Sequence, residues 1–200
     1  MPLTTAILLF DDVEVLDFAG PFEVFSVCGR RHKFEPFTVI TVAERARPVI
    51  ARNGLSINPA HSFADCPALD ILVVPGGYGT RREMHSPVML EWVAAQGRTV
   101  QFLLSVCTGA LILGAAGLLD GLAATTHHLA YGELRAVAGK TDVRENARIV
   151  DNGRVILSSG VSAGIDMALH AVSRILSPEM ARETARYMEY EGNWTDRSRA

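Results

Sequence analysis

The stretch TVQFLLSVCTGA at residues 99–110 leads from an apolar run to a cysteine, and small residues follow the cysteine directly. The run predicts a buried strand that ends at Cys107, and LILGAAG predicts a helix over residues 111–117. A reactive side chain on a sharp strand-to-helix turn is the layout of a nucleophile elbow. The positive end of a helix dipole favours the nucleophilic thiolate form of such a thiol. We therefore interpret Cys107 as a candidate nucleophile, with a buried structural cysteine as the alternative.

Length, composition and charge limit the class of protein. The 200 residues are 48% hydrophobic and 20% charged, which predicts one domain over residues 1–200 with a large core. A net charge of −3 without a long basic run gives no indication of a nucleic-acid or anionic membrane partner. No segment reaches the roughly 18 apolar residues that a membrane-spanning helix needs. Three widely spaced cysteines and an N-terminus without a basic region predict a cytoplasmic protein with free thiols.

Short apolar runs alternate with helical patterns along the chain. Strands are predicted at residues 4–10, 37–42, 49–51, 55–57, 70–74, 99–106 and 122–126, and in two runs around the turn at 151–153. Helices are predicted to begin at Gly20-Pro21, to cover 87–97 with Gly97 as the stop, and to cover 111–117, 129–138, about 165–175 and 178–189. This alternation favours a three-layer α/β sandwich with a mostly parallel sheet and a small β-hairpin.

Several chemistry-bearing residues follow predicted strands at short distances. They are Asp17, the loop at Gly76-Gly77, Cys107, His127 and the loop at Gly160. Sites in parallel sheets form outside the carboxyl ends of the strands. We therefore expect these residues to meet at one edge of the sheet.

Each of these residues has a chemical and a structural interpretation. A partly buried Asp17 would have a raised pKa and could bond the sulfur and deliver a proton, or it could cap a helix. Gly76 and Gly77 could present N–H groups to an anion, or form a tight turn. Thr108 could donate through its backbone N–H and its hydroxyl, or simply begin the helix. His127 could act as a base, orient water or line the pocket, or be a capping or surface histidine.

Motifs for metals and cofactors are absent from the sequence. No H-x-x-x-H, C-x-x-C or clustered carboxylate pattern indicates a metal site. No G-x-G-x-x-G follows the first predicted strand, so a dinucleotide is not indicated. The sequence motifs therefore indicate neither a metal site nor a dinucleotide cofactor.

Four segments resemble the ThiJ/PfpI superfamily in the order in which that superfamily has them. They are AILLFDDVEVLDFAGPFEV at 6–24, SFADCPALDILVVPGG at 62–77, SVCTGALILGAAGLLDGLAATTH at 105–127 and SSGVSAGIDMAL at 158–169. The resemblance is strongest to the isocyanide hydratase branch. It implies a flavodoxin-like fold of the class I glutamine amidotransferase type, no cofactor, and a homodimer with the site near the subunit interface. It also implies Cys107 as nucleophile, Asp17 as its acidic partner, Thr108 as a substrate-side donor, and Gly77 with Thr108 as backbone donors.

Two positions depart from the peptidase and glyoxalase members of the superfamily. Thr108 stands where those members often have histidine, and Asp17 stands where they often have glutamate. Both departures favour hydration of a small uncharged isocyanide to an N-substituted formamide. One alternative is a ligand- or redox-sensing domain related to the amidase-like half of AraC-type regulators, without the helix-turn-helix. A second alternative is glyoxalase or deglycase activity. The resemblance fades after about Met188, and the tail at 190–200 has no assigned role.

Overall fold

A seven-stranded sheet forms the centre of the computed structural model, which describes residues 1–33 and 35–192. The strands of the chain are β1 (Leu3–Leu9), β2 (Phe37–Ala43), β3 (Val49–Ile50), β4 (Ser56–Ile57), β5 (His61–Ser62), β6 (Ile71–Val74), β7 (Phe102–Val106), β8 (Ala123–Ala124), β9 (Asp142–Val143), β10 (Ile149–Asp151) and β11 (Val155–Ser158). The central sheet has the order β10-β11-β7-β6-β1-β2-β5. Its neighbouring strands are parallel except β10 and β11, which form an antiparallel edge hairpin.

Helices cover both faces of this sheet. They are α1 (Val15–Val27), α2 (Thr80–Glu83), α3 (Pro87–Thr99), α4 (Gly109–Ala115), α5 (Tyr131–Val137), α6 (Ala163–Ile175) and α7 (Pro178–Tyr187). One layer contains α1, α6 and α7, and the other places α2, α3 and α5 around α4. The predicted three-layer α/β sandwich with a mostly parallel sheet is therefore confirmed. Among the described residues, no helix combines the length and apolar character required to cross a bilayer.

The central strands are continuous apolar runs because both of their faces are covered. Residues 6–9 of β1, 71–74 of β6 and 103–106 of β7 are completely shielded from solvent. The predicted small hairpin is also confirmed, since β3 and β4 pair antiparallel beside the central sheet. It lies against the loop that follows β1, where Asp12 donates its N–H to the Ile50 carbonyl at 2.8 Å.

The first helix begins six residues before Pro21, where the sequence predicts its first turn. It starts at Val15, and Pro21 lies inside it rather than at its first turn. A proline there cannot donate to the carbonyl four residues earlier, so its position in a helix interior is unfavourable. Close packing on α6 accompanies this departure, because a Cβ on Gly20 would lie only 2.9 Å from Ile165 Cγ1. As a result, Asp17 occupies the first turn of α1, and the residue that precedes the helix is Glu14.

Other boundaries also differ from the sequence prediction. Gly97 does not stop α3, which continues to Thr99. A glycine at this position instead leaves room for the Leu118 side chain, which a Cβ would approach to 2.7 Å. The strand before His127 pairs with β9 in a separate two-stranded sheet, so His127 does not follow a strand of the central sheet. The short elements α2, β5 and β9 were not predicted, because two to four residues are too few for a periodic pattern.

Candidate active site

Cys107 lies on the turn between β7 and α4, as the elbow pattern predicts. Its φ angle is 57°, a left-handed conformation that is uncommon for a residue other than glycine. The backbone is fixed on both sides of this conformation. The Cys107 N–H donates to the carbonyls of Ser158 and Ser159, and the Thr126 hydroxyl donates to the Cys107 carbonyl at 2.8 Å. The side chain is held in a buried position, with the residue 6% exposed.

The close approach of β6 to this turn depends on a glycine at the start of α4. A Cβ on Gly109 would lie 2.1 Å from the Val74 carbonyl oxygen, which is a backbone atom of the central sheet. The small residue that follows Cys107 and Thr108 in the sequence therefore has a packing role. It allows the helix to begin directly on the carboxyl end of the neighbouring strand.

Asp17 reaches the same site from the first turn of α1 and is completely buried. Its Oδ2 atom accepts a hydrogen bond from the Gly76 N–H at 3.0 Å. The carboxyl group also interacts with the Cys107 thiol and with the backbone N–H of Val161. Its Oδ1 atom is buried without a conventional hydrogen-bond partner among the described residues. The sequence prediction that Asp17 and Cys107 lie at one edge of the sheet agrees with this geometry.

Burial dominates the protonation of this pair. It raises the pKa of Asp17 to about 7, against the hydrogen bonds from Cys107 and the Gly76 N–H. Burial, followed by the Asp17 charge, raises the pKa of the Cys107 thiol to about 12, against the N–H groups of Thr108 and Val161. The raised pKa of Asp17 has the expected direction. The pKa of the thiol is raised although the helix dipole favours the thiolate, because two N–H groups and a seven-residue helix do not compensate for the lost solvation.

The loop at Gly76-Gly77 uses its N–H groups to hold protein side chains. The Gly76 N–H binds Asp17, and the Gly77 N–H donates to Thr108 Oγ1 at 3.0 Å. The Thr108 hydroxyl donates in turn to the Gly77 carbonyl at 3.1 Å, which closes a reciprocal pair. The predicted donation from Gly76, Gly77 and the Thr108 hydroxyl to a substrate remains a prediction, and it requires an exchange of these partners. The backbone N–H groups that face the sulfur are those of Thr108 and Val161.

A glycine is required at position 76 for this arrangement. A Cβ there would lie 2.6 Å from the Thr108 nitrogen and 2.7 Å from Asp17 Oδ2. Those separations are far below van der Waals contact, so any larger residue would push the acid and the elbow apart. The Pro-Gly-Gly sequence therefore does more than form a tight turn.

His127 lies next to this site and combines two of its predicted roles. Its Nδ1 atom accepts from the Leu129 N–H at 3.3 Å, so the ring caps the short 3₁₀ turn His128–Ala130. The ring also packs on Gly160, where a Cβ would lie 2.4 Å from the imidazole Cδ2. Burial, with the nearby charges of His128 and Arg81, lowers the pKa of His127, which favours the neutral ring. A catalytic-base role for His127 remains a prediction.

The sequence predicted neither an ion pair near the site nor the backbone role of Val161, which it indicates only as an apolar residue around the substrate. Arg81 forms a bidentate ion pair with Glu133, at 2.8 and 2.7 Å, which joins α2 to α5. The partners are far apart in the chain, and no local pattern indicates such a pair. Val161 contributes its N–H because it adopts a left-handed φ of 49°, which a β-branched residue rarely adopts. Within the described residues, no group of three or more His, Cys, Asp or Glu side chains is placed to hold a metal ion.

Comparison with known proteins gives consistent matches over nearly the whole chain. The sequence profile of the DJ-1/PfpI family matches residues 4–174. The isonitrile hydratase of Pseudomonas putida is 36% identical over 190 residues, which cover 95% of this chain and 79% of that protein. The HTH-type transcriptional regulator GbdR of Pseudomonas aeruginosa is 28% identical over 190 residues, but only 51% of its length is covered. The crystal structure of a ThiJ/PfpI family protein from Pseudomonas syringae superimposes with a TM-score of 0.86 at 31% identity, covering 96% of this chain and 77% of that one.

Proposed function

The chain belongs to the DJ-1/PfpI family, and from this premise we propose that it is a cysteine-dependent hydratase of small uncharged isocyanides. The product would be an N-substituted formamide, and the reaction would need no metal or cofactor. The burial of the Asp17 carboxyl at the elbow, where it and the Cys107 thiol shift each other's pKa, carries this proposal. The 36% identity with an isonitrile hydratase supports it, since isonitrile and isocyanide are two names for one functional group.

The first step adds the thiol across the terminal carbon of the isocyanide. Asp17 takes the proton from Cys107 Sγ as the S–C bond forms, and then gives it to the same carbon. This addition produces a thioimidate, R–N=CH–S, on Cys107. A buried acid with a pKa of about 7 suits both transfers at neutral pH, because it gains and loses a proton with similar ease. The Thr108 and Val161 N–H groups would stabilise negative charge on the sulfur during the transfer.

The second step is hydrolysis of this intermediate. Water adds to the thioimidate carbon, and the C–S bond of the resulting adduct breaks. The N-substituted formamide leaves, and a proton returns to the Cys107–Asp17 pair. The net reaction joins one isocyanide and one water, so the enzyme is unchanged. Division of the hydration into two easier steps is the usual advantage of covalent catalysis.

The apolar surroundings support an uncharged substrate. Phe18 is buried beside Asp17 in the chain, and Val161 and Ile165 are half-buried at the start of α6. A charged reacting group would lose hydration in such a site without a fixed counter-charge. The thiol and the isocyanide are both neutral, so neither loses the hydration of a charge before the reaction starts.

We also propose that the protein is a cytoplasmic, single-domain homodimer with the site near the subunit interface. Exposed apolar side chains lie within two residues of site residues in the chain, namely Leu16, Tyr78 and Leu129. A second copy of the chain would cover such side chains. Sedimentation equilibrium should give twice the chain mass, and a monomer at micromolar concentration would contradict the dimer.

A ligand-binding module is the second candidate function. It is supported by the alignment of this chain with half of a transcriptional regulator over 190 residues. In that case the pocket would bind a small molecule without turnover. Oxidation sensing through Cys107 is a weaker form of this alternative, because burial raises the pKa of the thiol and the thiolate is the readily oxidised species.

Turnover of an aryl isocyanide is the direct test. We expect the purified protein to convert it to the N-aryl formamide, identified by chromatography and mass spectrometry against an enzyme-free control. A parallel reaction with an α-oxoaldehyde tests the glyoxalase alternative. Formamide production at only the enzyme-free rate would reject the hydratase, and saturable binding of the isocyanide in that case would favour the ligand-binding module.

A further inference from the structure

A cavity of about 420 Å³ lies beside the proposed nucleophile. Val161 lines it, and the N–H of the same residue faces Asp17 and Cys107. Ser159 also lines it, and the carbonyl of that residue accepts from the Cys107 N–H at 3.1 Å. The cavity therefore begins one residue from the reacting pair. It is large enough for the substituent of a small molecule bound at the sulfur.

His127 presents a hydrogen-bond donor at this cavity. Its Nδ1 atom accepts from the Leu129 N–H, so that nitrogen carries no proton. The neutral ring must then carry its proton on Nε2. The Nε2 atom lies on the Gly160 side of the ring, and Gly160 is part of the cavity wall. The hydrogen bond that caps the 3₁₀ turn thus fixes which nitrogen donates.

Tyr131 presents a second donor. Its phenol oxygen accepts from the Asn146 N–H at 2.9 Å, and no described residue accepts its own hydroxyl hydrogen. Arg148 also lines the cavity, and its guanidinium forms an ion pair with the completely buried Asp166. No described residue lining the cavity carries a carboxylate. The described lining therefore offers two donors, His127 Nε2–H and the Tyr131 hydroxyl, and its side-chain acceptors are the neutral groups of Asn146 and Ser159.

We propose that this cavity receives the N-substituent of the substrate and selects a substituent with an oxygen hydrogen-bond acceptor, such as an ester or amide carbonyl. This inference rests on the proposed function, because the substituent is placed relative to a carbon bound at Cys107. His127 Nε2–H and the Tyr131 hydroxyl would bind the acceptor oxygen. An alkyl substituent of the same size would leave both donors unpaired in a partly buried wall, which costs binding free energy.

The kinetic test compares methyl isocyanoacetate with n-pentyl isocyanide, two substrates of similar size of which only the first has a carbonyl. For each protein the ratio of the two kcat/KM values is measured, so the intrinsic reactivity of each compound cancels between proteins. Tyr131→Phe and His127→Ala should each lower the ratio about fivefold, through KM of the ester substrate. His85 is an exposed histidine, so His85→Ala is the matched control and should leave the ratio unchanged.

The Tyr131 substitution also removes the acceptor of the Asn146 N–H and could change the loop. The His127→Ala variant therefore tests the subsite independently of that hydrogen bond. Turnover with a ratio that is the same in wild type and in both variants would overturn the subsite and leave the hydratase intact. A second measurement tests the subsite if the protein does not turn over isocyanides. It is the calorimetric binding of the two corresponding formamides to Cys107→Ala. In that case, the subsite is supported if Cys107→Ala binds the ester formamide more tightly than the alkyl formamide and the double variant Cys107→Ala/His127→Ala does not. Equal binding of both formamides to Cys107→Ala would overturn the subsite.

Discussion

Replacement of Cys107 with alanine is expected to lower kcat/KM for isocyanide hydration by at least about 10³-fold, because the covalent route is lost. The residue lies at the end of β7 in a left-handed conformation, with its backbone held by Ser158, Ser159 and Thr126. Alanine removes the sulfur and leaves those backbone hydrogen bonds available. Formamide production by wild type and variant, measured under identical conditions, gives the ratio directly.

A matched cysteine controls for the loss of a thiol in general. Cys66 is half-buried and lies outside the site, so Cys66→Ala should keep wild-type turnover. The intact mass of the protein should rise by one isocyanide when wild type is quenched during turnover, and this adduct should be missing from Cys107→Ala. Wild-type turnover in Cys107→Ala would contradict the assignment of the nucleophile, whatever its effect on stability.

The position of the nucleophile could be predicted because its signal is local. An apolar strand, a cysteine and small residues directly after it define a strand-to-helix turn within twelve residues. The convergence with Asp17 followed from topology, since both residues come after parallel strands. That reasoning holds even though α1 begins earlier than predicted. The earlier start places Asp17 in the first turn of the helix instead of in the preceding loop, and both places lie at the same edge of the sheet.

The electrostatic state of the site could not be predicted in the same way. The pKa of the Cys107 thiol depends on how completely neighbouring elements bury it, and burial raises the pKa more than the facing N–H groups lower it. The partners of Gly77 and Thr108 also depend on tertiary contact, because each residue satisfies the other across the site. The Val161 N–H reaches the site only through a backbone conformation that its own side chain disfavours.

Asp17→Asn is expected to remove the acid–base function of the site and to leave the nucleophile in place. The amide oxygen can still accept from the Gly76 N–H, but the side chain can no longer carry a proton from sulfur to carbon. Loss of a general acid–base group typically costs about 10²–10⁴-fold in rate. We expect this loss in kcat, and we expect the remaining activity to lack the change near pH 7 that the raised pKa of Asp17 gives the wild type.

The same substitution should stabilise the protein at alkaline pH. Because the pKa of Asp17 is raised from 3.8 to about 7 on folding, the folded chain holds a proton between those values that the unfolded chain has released. The Asp17 contribution to the free energy of unfolding therefore falls as pH rises from about 4 to about 7. Asparagine has no such loss, so Asp17→Asn should be more stable than wild type by about 2–4 kcal/mol at pH 8. The difference should shrink towards pH 5.

The half-buried carboxylate of Asp151 provides a control of opposite sign for this stability measurement. Burial acts to raise the pKa of Asp151, but hydrogen bonds from His170, the Gly153 N–H and Arg174 outweigh it and lower the pKa overall. The Asp151 contribution is present at neutral pH and is lost as pH falls, so Asp151→Asn should destabilise the protein at pH 7. Urea unfolding of wild type and Asp17→Asn at pH 5 and pH 8, and of wild type and Asp151→Asn at pH 7, measures these differences. A lower stability of Asp17→Asn than of wild type at pH 8 would mean that Asp17 is stabilised as a carboxylate, and the proton transfer proposed for it would lose its basis.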